Sequence, residues 1–147
     1  MARGDVTIFE EHSLDLGKGV HDFSSDTLKI GLIDSTAAPT AADATPRWAD
    51  YSANEVGTSG GYTANGTSLA SVSYTEASGV ATLDAGNVTW SQDASGFTNA
   101  YWGIFYNDDA TNDEAFGFIE LDGPVSEQAG DVSITWNSSG IMTVTVS

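Results

Sequence analysis

The sequence contains no cysteine, and this absence excludes several kinds of site. Without thiols the chain can form no disulfide bond, no thiolate-bound metal centre and no cysteine nucleophile. Because small secreted domains often depend on disulfides, their absence favours assembly in the cytoplasm. The 147 residues are enough to bury about 70% of the unfolded surface, so a single domain with one substantial core is expected without cross-links.

Positive charge is also scarce. The 21 acidic residues face only four basic ones, Arg3, Lys18, Lys29 and Arg47, and the net charge is −17. Nucleic-acid binding needs clustered cations that neutralise phosphates, and anionic membranes attract the same clusters, so neither partner is expected. No apolar run approaches the length that spans a bilayer. An acidic surface of this kind keeps a protein soluble and repels free DNA and its own copies.

Only three prolines are present, and short β-like segments fill much of the chain. Aromatic and β-branched residues alternate with polar ones, and Asp, Asn and Gly mark the turns. The pattern predicts an all-β fold, a single antiparallel β-sandwich of the jelly-roll type with about eight strands. Residues 1–26 are expected to form an N-terminal arm or edge strand, and residues 27–147 the sandwich domain.

Three finer predictions concern the connections. Residues 34–66 are expected to be one long functional loop, with a short helical turn near residues 47–53 after Pro46. Pro124 is expected to break the chain after a hairpin that spans residues 100–121. Residues 131–136 and 140–146 are then expected to pair as a final hairpin.

The segment 107–114 holds the densest group of acidic side chains. Closely spaced oxygen ligands could bind Ca²⁺, with Asp108, Asp109, Asp113 and Glu114 as the candidate ligands. The segment lacks the glycine and terminal glutamate positions of an EF-hand, and Asp and Asn also favour plain turns. We therefore predict no metal and no other cofactor, with these four residues as a weak candidate for Ca²⁺.

Catalytic patterns are missing as well. The two histidines, His12 and His21, lie near the N-terminus, and no Gly-x-Ser-x-Gly elbow accompanies them. Among 21 acidic residues some pair always has glycosidase-like types, so such pairs carry little information. The sequence predicts a protein that is not an enzyme.

The aromatic residues divide into two groups. Trp90, Trp102 and Trp136 lie inside predicted strands, where core packing is the default. Trp48 and Tyr51 lie in the long loop beside Arg47, and aromatic residues and arginine are enriched at protein interfaces. The sequence therefore predicts that this part of the loop contacts another protein.

An ordered set of short motifs runs through most of the chain. A strand near residues 28–33 is followed by a Trp-Ala-Asp-Tyr-Ser segment that ends in Glu-Val, and then by Gly-Tyr-Thr. Further on come Asp-Ala-x-x-Val-Thr-Trp, an aromatic strand that ends in an acidic loop, and Trp-Asn-x-x-Gly-Ile. The segments fall at residues 47–56, 60–70, 84–90, 101–109 and 136–141. Taken in this order, the motifs resemble those of small structural proteins of tailed bacteriophages. The similarity covers about residues 28–146, and the first 25 residues lie outside it.

The resemblance implies a capsid cement or decoration protein on the outside of the virion head, assembled in the host cytoplasm. Such proteins are β-rich and clamp neighbouring major capsid subunits, so the implied partners are the major capsid protein and further copies of the chain, as a homodimer or homotrimer. The residues expected to contribute contacts are Val6, Ile8 and Phe9 in the arm, and Arg47, Trp48 and Tyr51 in the loop. A phage tail or head-fibre module and a carbohydrate-binding β-sandwich remain the alternatives.

Overall fold

A computed structural model describes residues 5–146 of the chain, and β-strand predominates over helix in it, with 37% strand and 12% helix. Two α-helices and two 3₁₀ turns interrupt the strands. The helices are α1 (His12–Lys18) and α2 (Trp48–Tyr51), and the 3₁₀ turns are Ser35–Ala37 and Ser52–Asn54. The strands are β1 (Thr7–Ile8), β2 (Leu28–Ile33), β3 (Thr67–Ser68), β4 (Ser73–Ala77), β5 (Val80–Asp84), β6 (Val88–Trp90), β7 (Ala100–Asn107), β8 (Ala115–Val125), β9 (Val132–Ile134) and β10 (Met142–Thr145).

The strands form three antiparallel sheets. The largest has five strands in the order β1-β8-β7-β2-β3, and the others have the orders β10-β5-β4 and β6-β9. The prediction of an all-β chain with antiparallel sheets is confirmed. The main core contains residues of all three sheets, including Ile30 and Phe105 from the large sheet, Leu83 from β5 and Trp90 from β6.

The five-stranded sheet is covered on both faces. Successive side chains of a strand point to opposite faces, and in β7 Phe105 enters the main core while Ile104 and Tyr106 enter a second cluster. In β8, Phe116 enters the main core and Phe118 the second cluster, although residues two apart share a face in a regular strand. An irregularity in the pairing of β7 with β8 at this point turns Phe116 to the other face. This double coverage explains why the central strands read as almost continuous apolar runs.

The long loop covers the second face. The predicted helical turn is confirmed as α2, although Arg47 precedes it as the cap residue and its N–H donates to Asp50 Oδ2 at 3.0 Å. From α2, Trp48 and Tyr51 pack into the second cluster. The loop is therefore part of the folded core.

Two predictions about chain connections are wrong. β9 and β10 do not form a hairpin with each other, because β9 pairs with β6 and β10 pairs with β5. Trp136 holds the chain beside the β5–β6 link, since its Nε1 donates to Gly86 O at 2.9 Å. Pro124 does not end β8, which continues to Val125 beyond an irregularity in its pairing with β7.

The N-terminal segment combines a strand and a helix. β1 is the outer strand of the large sheet, where Thr7 and Ile8 lie opposite Phe118 and Gly117. Helix α1 follows and ends at Gly19, which has a left-handed conformation with φ of 68°. An arm or edge strand was predicted for residues 1–26, whereas this part of it is helical and exposes Leu14 and Leu16. The predicted arm residues 1–4 lie outside the described residues.

Candidate functional site

Three of the six predicted interface residues are packed inside the chain. The exposed fractions of Phe9, Trp48 and Tyr51 are 1%, 4% and 5%. Together with Ile33 and Tyr106 they belong to the second hydrophobic cluster. Because these side chains already fill this chain's own core, the prediction that they offer an exposed contact is corrected.

The position of Trp48 follows from close complementarity with the sheet. Its ring stacks on Tyr106 with a centroid distance of 5.2 Å and an interplanar angle of 4°. It lies directly over Gly31 of β2, where no side chain intervenes. The Trp48 N–H donates to Asp113 O at 3.0 Å, which ties the loop to the β7–β8 turn. The aromatic residues of this contact are evident from the sequence, whereas the glycine beneath the ring is not.

The other three predicted interface residues remain accessible. Arg47 is exposed, and Val6 and Ile8 are half-buried. Val6 and Ile8 line an open groove of about 340 Å³ that also contains Asp5 and the chain near Ile141 and Met142. Their role in an interface stays a prediction.

Arg47 lines a second pocket, of about 240 Å³, between helix α1 and the long loop. Lys18 lies on the same pocket, so two of the four basic residues of the chain meet here. Lys29 is already paired with Asp108 at 3.0 Å. The pocket lining is completed by Glu11, Asp15, Val20, Thr45, Pro46 and Glu114. We call this lining the α1 pocket.

Helix α1 also carries exposed apolar side chains. Leu14 and Leu16 are 48% and 42% exposed, and among the large hydrophobic residues of the described chain only Val146 joins them. Leu14 lies one helical turn before Lys18, so these two side chains are neighbours on the helix surface. The sequence signal for this helix was the Lys18-Gly19 ending, which a strand interpretation of the segment overlooked.

Both histidines are buried beneath this region. The rings of His12 and His21 lie 5.5 Å apart and are nearly parallel, with Phe23 and Phe116 around them. Neither ring nitrogen of His12 has a hydrogen-bond partner, and His21 Nε2 lacks one as well. The nearest carboxylate oxygen to His21 Nε2 is Asp15 Oδ2 at 3.9 Å. Such unpartnered buried groups resist gaining a charge.

Burial shifts the pKa values of His12, His21 and Asp15 in the direction that favours the uncharged form of each group. Burial, followed by the proximity of His21, lowers the pKa of His12 from 6.5 to about 4. Burial also lowers the pKa of His21, although Glu114 and Asp26 act in the opposite direction. Burial and the neighbouring Glu11 raise the pKa of Asp15. At neutral pH both histidines are therefore uncharged.

We expect acid to weaken the fold through His12. The unfolded chain binds a proton on this residue below pH 6.5, whereas the folded chain refuses it until about pH 4. The free energy of unfolding is therefore fully present above pH 6.5 and falls as the pH drops towards 4, by about 3 kcal/mol for this residue. Urea unfolding at pH 7.0 and pH 4.5 measures the loss.

The matched control is His12→Phe, which keeps an aromatic ring against Phe23 and Phe116 but cannot titrate. All 21 acidic residues remain in this variant, so the general effect of their protonation is the same in both proteins. The wild type is expected to lose more stability than the variant over this pH range. Equal losses in the two proteins would contradict the assignment to His12.

The acidic turn is occupied by internal contacts. Asp108 pairs with Lys29, Asp109 Oδ2 accepts the Thr27 N–H at 2.6 Å, and Glu114 accepts two bonds from Asn112. Within residues 5–146 no group of three or more His, Asp or Glu side chains could hold a metal ion. The weak Ca²⁺ candidate at Asp108, Asp109, Asp113 and Glu114 is therefore withdrawn, because these side chains do not converge.

Aromatic side chains are not displayed as a sugar-stacking platform. The four tryptophans, five tyrosines and six phenylalanines all lie within the described residues, and none of them is exposed. Tyr74, Tyr101 and Trp102 are half-buried and the others are buried. Neither helix of the described chain has the length and apolarity needed to cross a membrane.

Comparison with known proteins adds no relative: no family model, no curated protein and no solved structure matches this chain.

Proposed function

We propose that this chain is a structural protein of a tailed-bacteriophage virion, a cement or decoration protein that binds the outer surface of the head. In this role it clamps neighbouring major capsid subunits against the outward pressure of packaged DNA. Repetition over the capsid lattice supplies avidity, so each contact can be weak. The finer architecture belongs to the same proposal: the three-stranded and two-stranded sheets together form the second layer of a jelly-roll-like sandwich.

The ordered motifs between residues 28 and 146 support the proposal, because several of their residues hold the sheets and loops together. Tyr62 of the Gly-Tyr-Thr motif is buried, and its hydroxyl accepts the Leu32 N–H at 2.9 Å and donates to Glu55 at 2.8 Å. Trp90 and Trp136, which belong to two other motifs, lie in the main core. Proteins that share a fold are expected to be similar at such buried positions, because these residues determine how loops and sheets pack.

The α1 pocket is the surface that suits contact with the capsid. It gathers Lys18 and Arg47 on a molecule whose net charge is −17, and exposed Leu14 lies beside Lys18. Three carboxyl side chains line the same pocket, so it presents charges of both signs and suits a partner surface of mixed charge. Exposed leucine adds apolar area at the centre of such a contact.

The copy number of the chain in purified virions of its source virus tests the proposal. A number comparable to that of the major capsid protein is expected, since a cement protein occupies sites repeated over the lattice. A few copies per particle would assign the chain to the tail or a head fibre instead. Absence from the particle would overturn the virion role, and saccharide binding would then be measured.

A rebinding assay tests the surface. Leu14→Glu places a carboxylate beside the α1 pocket and is expected to weaken binding to particles stripped of this protein by at least tenfold, because it puts a charged group into the apolar part of the contact. Val146→Glu is the matched control, since it makes the same change at another exposed apolar residue. Equal binding by both variants and the wild type would remove the α1 pocket from the contact.

A further inference from the structure

Strand β4 forms an open sheet edge. It lies at the end of the β10-β5-β4 sheet, and no strand of the described residues pairs with its outer side. Its pairing with β5 runs without a register shift from Ser73 to Ala77. It contains neither proline nor lysine, and its one charged residue is Glu76. Proteins usually protect such edges with proline, lysine or a bulge, and β4 uses none of these devices.

The turn determines which backbone groups face outward. β4 and β5 are joined by Ser78 and Gly79, both with positive φ, as in a two-residue hairpin turn. The pair that closes such a turn, Ala77 and Val80, exchanges hydrogen bonds, and so do alternate pairs further along. The N–H and C=O groups of Tyr74 and Glu76 therefore point away from β5, towards the open edge.

One two-fold register satisfies all of these groups. If two copies of β4 pair antiparallel about Thr75, Tyr74 of each copy lies opposite Glu76 of the other, and four hydrogen bonds form. Pairing about Glu76 would place two carboxylates face to face, and pairing about Tyr74 would leave Glu76 outside the strand ladder. The Glu76 carboxylate is already directed to its own turn, where it accepts the Gly79 N–H at 2.7 Å.

The exposed face of the sheet continues across this axis. Thr75 lies opposite Thr82, and Thr82 lies opposite Thr143, so one threonine from each strand forms a row. The two-fold register would extend this row to six threonines without any charged residue. Threonine pairs across strands are favourable, whereas like charges directly opposite each other are not.

The other end of the sheet is less open. The side of the chain near Ile141–Thr143 shares the 340 Å³ groove with Asp5, Val6 and Ile8. Asn137 Nδ2 donates to Asp5 Oδ1 at 3.0 Å at the same place. The N-terminal segment therefore lies beside the start of β10. At β4, Phe23 contacts Tyr74 on the core side of the sheet, but no strand among the described residues pairs with the outer edge.

We infer that two copies of this chain associate through β4, antiparallel about Thr75, and join their three-stranded sheets into one sheet of six strands. This assigns a surface to the self-association that accompanies the proposed function. Its test uses the purified chain without capsids, so its failure would leave capsid binding untouched, and a failure of capsid binding would leave the dimer standing.

Cross-linking tests the register directly, because the chain has no cysteine of its own. Opposed residues in a non-hydrogen-bonded antiparallel pair have Cα atoms about 4.5 Å apart, within the range of disulfides. Thr75→Cys is therefore expected to form a covalent dimer under mild oxidation. Ser73→Cys and Thr143→Cys are the controls. In this register the two Thr143 Cα atoms lie roughly 24 Å apart, and those of Ser73 roughly 14 Å apart.

Sedimentation velocity over a concentration series gives an independent readout. The wild type and Thr143→Glu are expected to dimerise, whereas Thr75→Glu, which opposes two carboxylates at the axis, is expected to stay monomeric. Thermal melting checks that each variant is folded. A wild type that is monomeric at every concentration, a Thr75→Cys protein that does not cross-link, or efficient cross-linking at Ser73 or Thr143 instead would overturn the inference.

Discussion

Gly31→Ala is expected to destabilise the protein by about 3 kcal/mol, a large effect for one methyl group. A Cβ at this position would lie 2.9 Å from Trp48 Cζ2 and closer still to two other atoms of the ring. Neither side can yield easily, since Gly31 belongs to a central strand and Trp48 is stacked on Tyr106. Urea unfolding at pH 7 measures the loss of stability.

A double-mutant cycle shows whether the ring is the cause. Trp48→Ala alone should cost about 4 kcal/mol, because it empties the second cluster. In that background Gly31→Ala should add less than about 0.5 kcal/mol, since the space above the glycine is then free. Gly57→Ala is the matched control, because a Cβ there meets no atom within 4 Å. Additive costs at positions 31 and 48 would show that the contact with Trp48 is not responsible.

Glu127→Ala is expected to cost about 3 kcal/mol, because this buried carboxylate joins two loops. Glu127 has an exposed fraction of 0%, and it accepts the Gly61 N–H at 2.8 Å and the Phe97 N–H at 3.3 Å. Its backbone N–H donates to Phe97 O at 2.9 Å. Between these loops Phe97 packs edge-on against Tyr62 and Trp90. Loss of the carboxylate would leave the buried Phe97 N–H and the partly buried Gly61 N–H without this acceptor.

The size of the effect is measured by thermal and urea unfolding. Glu127→Gln should lose about half as much stability as Glu127→Ala, since one amide oxygen can still accept one of the two bonds. Glu10→Ala removes an exposed glutamate from the same acidic chain, so it controls for the change in net charge. If Glu127→Ala were no more harmful than Glu10→Ala, the role of this carboxylate in joining the loops would be refuted.

Local sequence patterns were sufficient for much of the secondary structure. The strand near residues 28–33 and the helical turn after Pro46 were predicted correctly and correspond to β2 and α2. Turn residues and strand-like alternation depend only on residues that are close in sequence, so they can be recognised without knowledge of the fold. Helix α1 was missed because its seven residues carry only a brief helical pattern and a single Gly19 ending.

The residues of the candidate site were harder to predict from the sequence. Trp48 and Tyr51 were expected at an interface because aromatic residues and arginine are common there, yet the second face of the large sheet buries them. Whether an aromatic residue in a loop is covered depends on what the distant strands leave open, here Gly31 of β2. Lys18 and Arg47 come from separate segments and both line the α1 pocket. No local sequence pattern indicated that these two residues would lie close together.

The sequence by itself determined that the chain has no thiol chemistry, carries a strongly acidic charge and forms short β-strands divided by turns. These properties follow from composition and from neighbours along the chain. Only the tertiary structure decided that β9 and β10 belong to different sheets, that the long loop is core, and that β4 is the open edge. Such outcomes depend on contacts between residues far apart in sequence, where packing selects one partner among several that local preferences permit equally.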